Sequence, residues 1–150
     1  MKIHTKPYGT IEVDDRQFIE FPFGIFGFEN LKRYVLLDAE QQPFYWLQSM
    51  DVQEIAFILI NPYLFRPDYT VDVPDEDLSE IGLDDPDEAL VFAIVTIPEK
   101  QSRMTANLQG PVIINRANRK GRQSISTGEK WKTKHYILDE LKALGGEAAC

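Results

Sequence analysis

The chain has 150 residues, 43% hydrophobic and 11% aromatic, which suits one ordinary domain and is too apolar for a disordered polymer. Its formal net charge of −8 repels phosphate and anionic lipid, so the composition argues against direct nucleic-acid or membrane binding and for a partner with a basic face. One cysteine (Cys150), a start without the apolar core of a signal peptide, and no run near the ~20 apolar residues of a membrane span point to a reducing, cytosolic setting.

The N-terminal part reads as strands separated by turns. Residues 10–13 follow Gly9, and residues 18–21 alternate in part before Pro22 and Gly24. Short apolar runs then recur at 34–37, 44–47 and 55–60. Runs about ten residues apart, broken by Gly, Pro, Asn and Asp, predict a sandwich or barrel. Continuous runs such as 55–60 predict strands covered on both faces. Residues 29–33 are expected to form one helical turn capped by Asn30, and residues 69–73 a strand.

Pro74, the acids after it and the closing Gly82 predict a short helix whose buried face carries Leu78 and Ile81. Residues 84–88 repeat the theme around Pro86, and 90–97 is the strongest strand pattern in the chain. Residues 104–108 and 112–115 read as two strands around Gly110-Pro111, 116–120 as a polar hairpin loop, and 121–126 as the next strand. Ile137, Leu138, Leu141 and Leu144 have helical spacing, with Gly145 at the C-cap position and a frayed tail from about residue 142. No repeat or linker divides the chain, so the expectation is a mainly β, compact, barrel-like single domain over 1–150 with a few short helices.

The residue patterns that mark an enzyme are missing. His4 and His135 are far apart in sequence, no Cys-rich or His-x-x-x-His spacing occurs, and the acids lack the order of a calcium loop, so no metal is expected. Neither phosphate-binding glycine motif is present. Gly24-Ile25-Phe26-Gly27 sits among large apolar residues and reads as a turn that needs glycine torsions. There is no Gly-x-Ser-x-Gly, and carboxylates are too abundant to single out an acid–base pair.

Charge is segregated along the chain. The stretch 69–90 holds Asp72, Asp75, Glu76, Asp77, Glu80, Asp84, Asp85, Asp87 and Glu88 and no Lys or Arg. The stretch 116–134 holds Arg116, Arg119, Lys120, Arg122, Lys130, Lys132 and Lys134, opposed only by Glu129. Two readings stay open: two solvated faces, or an acidic patch that docks a basic protein and repels nearby phosphate. The basic stretch supports an alternative function, a nucleic-acid-binding barrel, with Trp131 as its one nearby stacking ring. An enzyme using the carboxylates is a third reading. Aromatic residues crowd two loops, Phe21, Phe23, Phe26 and Phe28 in one and Tyr63, Phe65 and Tyr69 in the other. They either fill core beneath the loops or, where exposed, form hot spots for a protein partner.

The order and spacing of several short motifs carry a family likeness. They are Gly24-Ile25-Phe26-Gly27-Phe28-Glu29, then Tyr34-Val35-Leu36-Leu37, Pro43-Phe44-Tyr45-Trp46-Leu47-Gln48-Ser49 and Ala56-Phe57. Asn61-Pro62 with Pro67-Asp68-Tyr69, the stretch from Thr105 through Gly110-Pro111 to Asn115, and Gly121-Arg122-Gln123 complete the set. In this the chain resembles the flagellar assembly factor FliW family from about Ile3 to about Leu138. The tail after about Leu141 matches no motif.

The resemblance implies a β-barrel-like fold, no cofactor and two protein partners, cytosolic flagellin and the RNA-binding translational repressor CsrA. It also implies a partner switch. Flagellin occupies the factor until it is exported, and the released factor then antagonises CsrA so that flagellin translation resumes. On this reading the 61–69 loop, with Asn61, Phe65, Asp68 and Tyr69, is a candidate contact surface together with Phe26 and Phe28. Asp75, Glu76, Asp77, Asp84, Asp85, Asp87 and Glu88 are candidates for docking beside CsrA. The competing reading is that Gly24, Gly27, Asn61, Pro62, Asn107 and Pro111 only shape turns.

Overall fold

A computed structural model describes the backbone of residues 1–149 and the side chains of residues 1–145. The strands are β1 (Lys2–Thr5), β2 (Gly9–Glu12), β3 (Phe18–Glu20), β4 (Arg33–Asp38), β5 (Tyr45–Ser49), β6 (Ala56–Ile60), β7 (Ala89–Thr96), β8 (Thr105–Asn115), β9 (Lys120–Gln123) and β10 (His135–Tyr136). The helices are α1 (Asp75–Ser79) and α2 (Ile137–Ala149), with short 3-10 turns between strands. Hydrogen-bonded neighbours run β10-β8-β7-β6-β5-β4-β3-β9, and β9 also pairs with β8, so strands β3 to β9 close into a barrel.

The apolar runs have alternating destinations. Tyr34, Leu47, Leu59, Phe92, Val112 and Ile114 point inward and fill the barrel with Phe21 and Ile19. Their chain neighbours point outward and are buried as well. Val35 and Leu37 lie under the β1–β2 hairpin with Ile3 and Val13. Ala93, Val95, Ala106 and Leu108 pack with Trp131 and Ile137. Ile113 packs with Val73, Ile81 and Leu83, beside α1. A wall covered on both faces explains why these strands read as continuous rather than alternating.

The fold corrects several sequence expectations. Residues 29–33 form no helical turn, because the Phe21 N–H donates to the Lys32 carbonyl (2.8 Å) and Ile25 bridges Phe28, which ties the loop into the wall. Residues 69–73 form no strand. Tyr69 and Val73 are buried, yet the stretch accepts one backbone bond at Asp72, from Thr127 N–H (2.8 Å), so its apolar pattern reports coverage of the barrel rather than a ladder.

Gly110-Pro111 is not a turn between two strands. β8 runs unbroken, and the irregularity is a register jump opposite Phe92/Ile94, steadied by the Asn107 side-chain oxygen accepting from the N–H groups of Gln109 (3.0 Å) and Gly110 (2.8 Å). β9 stops at Gln123, short of the expected 126. Helix α2 passes through Gly145 to Ala149, so that glycine is no C-cap. Of the tail expected to fray from about residue 142, the backbone to Ala149 belongs to α2, while the side chains of 146–149 and the whole of Cys150 lie outside the described residues.

Candidate protein-docking surface

The two charged stretches meet in space. The β8–β9 hairpin lies against α1, and Arg122 from β9 pairs with Asp77 (3.3 Å) and Glu80 while its guanidinium stacks over the Phe23 ring at 4.5 Å. Arg116 pairs with Glu88 (3.5 Å) and donates to the Asp87 carbonyl (2.8 Å). The side-chain amides of Asn115 and Asn118 both donate to the Ile81 carbonyl at 2.9 Å. The basic hairpin is therefore a clamp on the acidic segment, and the reading of two separate solvated faces is replaced.

The clamp divides the acids. Asp77, Glu80 and Glu88 are engaged. Asp75, Glu76, Asp84, Asp85 and Asp87 are exposed and have no ion-pair partner among the described residues. Asp85 caps a 3-10 turn, with its Oδ1 accepting the Asp87 N–H at 3.0 Å, which leaves its charge facing solvent.

The 61–69 loop is braced from within. Asn61 caps the 3-10 turn Pro62–Leu64 by accepting from the Tyr63 N–H (2.9 Å). Phe65 (0% exposed) and Tyr69 (3%) are core residues rather than contact surface, which corrects their candidacy. The Tyr69 hydroxyl donates to the Leu108 carbonyl (2.8 Å), and burial pushes the phenol up to about 12. The exposed apolar side chains of this loop are Tyr63 and Leu64, which sequence reasoning did not separate from their buried neighbours.

Asp68 belongs to a brace as well. Both its oxygens accept from Arg66 (2.9 and 2.8 Å), and Lys130 lies at 3.2 Å. Arg66 first, then Lys130, hold its carboxyl well below the usual carboxylate range. Arg66 also donates to Glu140 (2.8 Å). His135 Nε2 accepts the Lys132 N–H (2.9 Å), so its Nδ1 carries the proton and donates to Glu140 (3.1 Å). Arg66 and Lys130 cover the Trp131 ring at 4.7 and 4.8 Å, and that ring is buried. Trp131 is thus occupied as core and offers no face on which a base could stack.

Phe26 is half-exposed at the tip of the loop that Gly24 and Gly27 turn, while Phe28 sets its edge on Phe57 at 5.3 Å. Gly24 is required there. Its φ is +68°, and a Cβ would lie 2.5 Å from the Glu29 Cα. The Phe26 N–H donates to the Gln123 side chain (3.0 Å), which fixes the loop to β9.

Between the 61–64 turn, α1 and β7 lies a groove of about 540 Å³ that the sequence did not announce. Tyr63, Leu78, Leu83, Leu90 and Val91 line it, and Asp84 stands in its wall. Among the described residues no three His, Cys, Asp or Glu side chains gather as a metal would need, and no helix is long and apolar enough to cross a membrane.

Comparison with known proteins bears on this surface. The family described as FliW protein matches residues 2–137. The flagellar assembly factor FliW of Treponema denticola is 52% identical over 145 residues, covering 97% of this chain and 99% of the relative. That of Treponema pallidum is 45% identical over 150 residues, the full length of both. A crystal structure of the flagellar assembly factor FliW superposes with a TM-score of 0.86 at 36% identity, covering 92% of this chain and 97% of the other.

Proposed function

The chain belongs to the FliW family, and from that premise we propose that it is a non-enzymatic, cytoplasmic flagellar assembly factor that binds cytosolic flagellin and antagonises CsrA. Flagellin retained in the cell occupies the factor. Export of flagellin releases it to CsrA, and flagellin translation resumes.

One observation carries the CsrA half of this reading. Five carboxylates, on Asp75, Glu76, Asp84, Asp85 and Asp87, project without ion-pair partners among the described residues, from a segment that Arg116 and Arg122 tie to the hairpin. An RNA-binding repressor must present positive charge to phosphate. An acidic face docked beside that charge attracts the protein and repels the RNA. The alternative, a nucleic-acid barrel, loses support. Arg116, Arg122 and Lys130 are paired to carboxylates and Trp131 is buried.

Calorimetry of the purified chain with flagellin and, separately, with CsrA tests the proposal at ~0.15 M salt, where the screening length is about 8 Å. Binding to both, with each weakening the other, is the expected result. Binding to neither folded partner refutes it. Reversing Asp75, Asp84, Asp85 and Asp87 to Lys is expected to slow CsrA association by about tenfold or more. Unchanged antagonism in that variant removes the acidic segment from the mechanism.

A further inference from the structure

We propose that β7 at Val91 forms a strand-addition edge that takes an extended peptide segment of alternating apolar residues flanked by lysine or arginine. This rests on the reading of the chain as a protein-binding regulator and supplies the chemistry of the segment it grips.

The ladder register fixes where each backbone group points. The Arg116 N–H donates to the Glu88 carbonyl (2.9 Å), and Val91 stands opposite Ile113. Hydrogen-bonding direction alternates along an antiparallel strand. Glu88, Leu90 and Phe92 therefore turn toward β8, and Val91 turns away. On the other side, the Ser49 N–H donates to Ile55, so Ile55, Phe57 and Leu59 face β5, while Ile58 and Ile60 face Val95 and Ala93 of β7.

One step further, the residue that would meet Val91 is Pro62. Proline has no N–H to give, and the Pro62 carbonyl already accepts from Phe65 (3.3 Å) and Arg66 (2.9 Å). The ladder stops at Ile60–Ala93, so the Val91 N–H and carbonyl lie beyond its last pair and have no ladder partner on β6.

These two groups belong to a strand that lines the groove of about 540 Å³. Edge strands are ordinarily blunted by charge, proline or a covering loop. Here Pro62 ends the β6 ladder, and beside it the groove wall is apolar rather than charged, with Tyr63, Leu78 and Leu83 near Val91. A backbone pair without a ladder partner in an apolar groove is what strand addition uses, main-chain bonds for affinity and pockets for alternate side chains. Charge selects the occupant. Asp84 stands in the groove wall, and unpaired Asp75, Glu76, Asp85 and Asp87 sit on α1 and the turn that border it. A segment with basic flanks is attracted there, whereas an acidic segment or an RNA strand is repelled.

Amide hydrogen exchange by NMR on the full chain tests this. Without partner, the Val91 amide is expected to exchange at least about tenfold faster than those of Leu90 and Phe92. A synthetic peptide of alternating lysine and valine is expected to slow Val91 by about tenfold or more, and the same peptide with glutamate for lysine to leave it unchanged. Equal protection of Val91, Leu90 and Phe92 in the free protein overturns the proposal, as does a lysine–valine peptide that leaves Val91 unprotected. Flagellin or CsrA that binds by calorimetry while Val91 stays unprotected also overturns it and leaves the proposed function standing. If neither protein binds, the proposed function fails and the peptide titration still decides the edge.

Discussion

Arg122 is the joint between the acidic segment and the barrel, and a double-mutant cycle measures it. Its side chain is 21% exposed, those of Asp77 and Glu80 17% and 32%. Fully exposed ion pairs contribute about 0–1 kcal/mol, and removing one partner of a buried pair costs about 3–5 kcal/mol. Mostly buried side chains at the surface fall between, and the stacking on Phe23 adds about 0.5–1 kcal/mol. Arg122→Met is therefore expected to lose about 2 kcal/mol, which for a chain of this size lowers the melting temperature by roughly 4–8 °C. Asp77→Asn alone costs less, because Glu80 still holds the guanidinium. In urea unfolding at ~0.15 M salt the cycle between them is expected to give a coupling of about 1 kcal/mol. Lys132→Met, at an exposed position with no ion pair among the described residues, is the control and stays within about 0.5 kcal/mol. A coupling below about 0.3 kcal/mol refutes the clamp and returns the two charged stretches to independent solvated faces.

Gly24→Ala is expected to destabilise by about 3 kcal/mol or more, read as a fall in urea midpoint, because the added Cβ meets Glu29 backbone at 2.5 Å in addition to the positive φ. Phe65→Ala, at a fully buried ring, is expected to cost about 3–5 kcal/mol. Phe26→Ser, at a half-exposed ring, is expected to leave the melting curve within about 1 kcal/mol while weakening a partner that uses that loop. Equal losses in the two would mean that the Phe26 loop is packed and not presented. The hydrogen bonds from Arg16 lower the Asp14 carboxyl from 3.8 to about 2. A depressed carboxylate gives stability that is present above the unfolded value and lost as pH falls through the folded one. An NMR titration is thus expected to place its midpoint near 2, and Arg16→Ala, which removes the side-chain bonds but keeps the backbone N–H bond to Asp14, to move it part of the way back toward the ordinary aspartate value of about 4.

The barrel was legible because its strands are apolar on both faces and interrupted by turn residues at short intervals. The misreadings share a cause. Periodicity reports burial, not hydrogen bonding, so the buried alternation at 69–73 looked like a strand although it only covers the wall. Gly110-Pro111 looked like a turn because nothing local announces that Asn107 will satisfy the N–H groups of Gln109 and Gly110. Asp68 read as a contact residue because nothing local shows Lys130 closing on it with Arg66, and Phe65 and Tyr69 could not be told from Tyr63 and Leu64. Facing inward or outward in a short loop is set by partners such as Leu108 and Trp131, which are distant in sequence. The groove was invisible for the same reason, although Asn61-Pro62 after an apolar run did mark where β6 must stop.

The sequence offered seven of the eight acids between Asp75 and Glu88 as one group, all but Glu80, and the structure divides them by what they touch. Asp77 meets Arg122 in a mostly buried pair, so changing its charge is felt first as stability, whereas Glu88 meets Arg116 in an exposed pair that contributes little to folding. Asp75, Glu76, Asp84, Asp85 and Asp87 face solvent, where a charge contributes little to folding and most to the rate at which a basic protein arrives. Net charge alone would make every acid equivalent, whereas the clamp makes position decisive. The paired acids give the segment a fixed shape, and the unpaired ones give that shape a sign. A partner surface with positive charge and an extended segment can therefore meet the field of the rim and the backbone edge of the groove in one encounter. On the proposed reading RNA, which shares the extended form but carries the opposite charge, is expected to be repelled by the same rim, and addition of RNA is expected to leave the Val91 amide exchange unchanged.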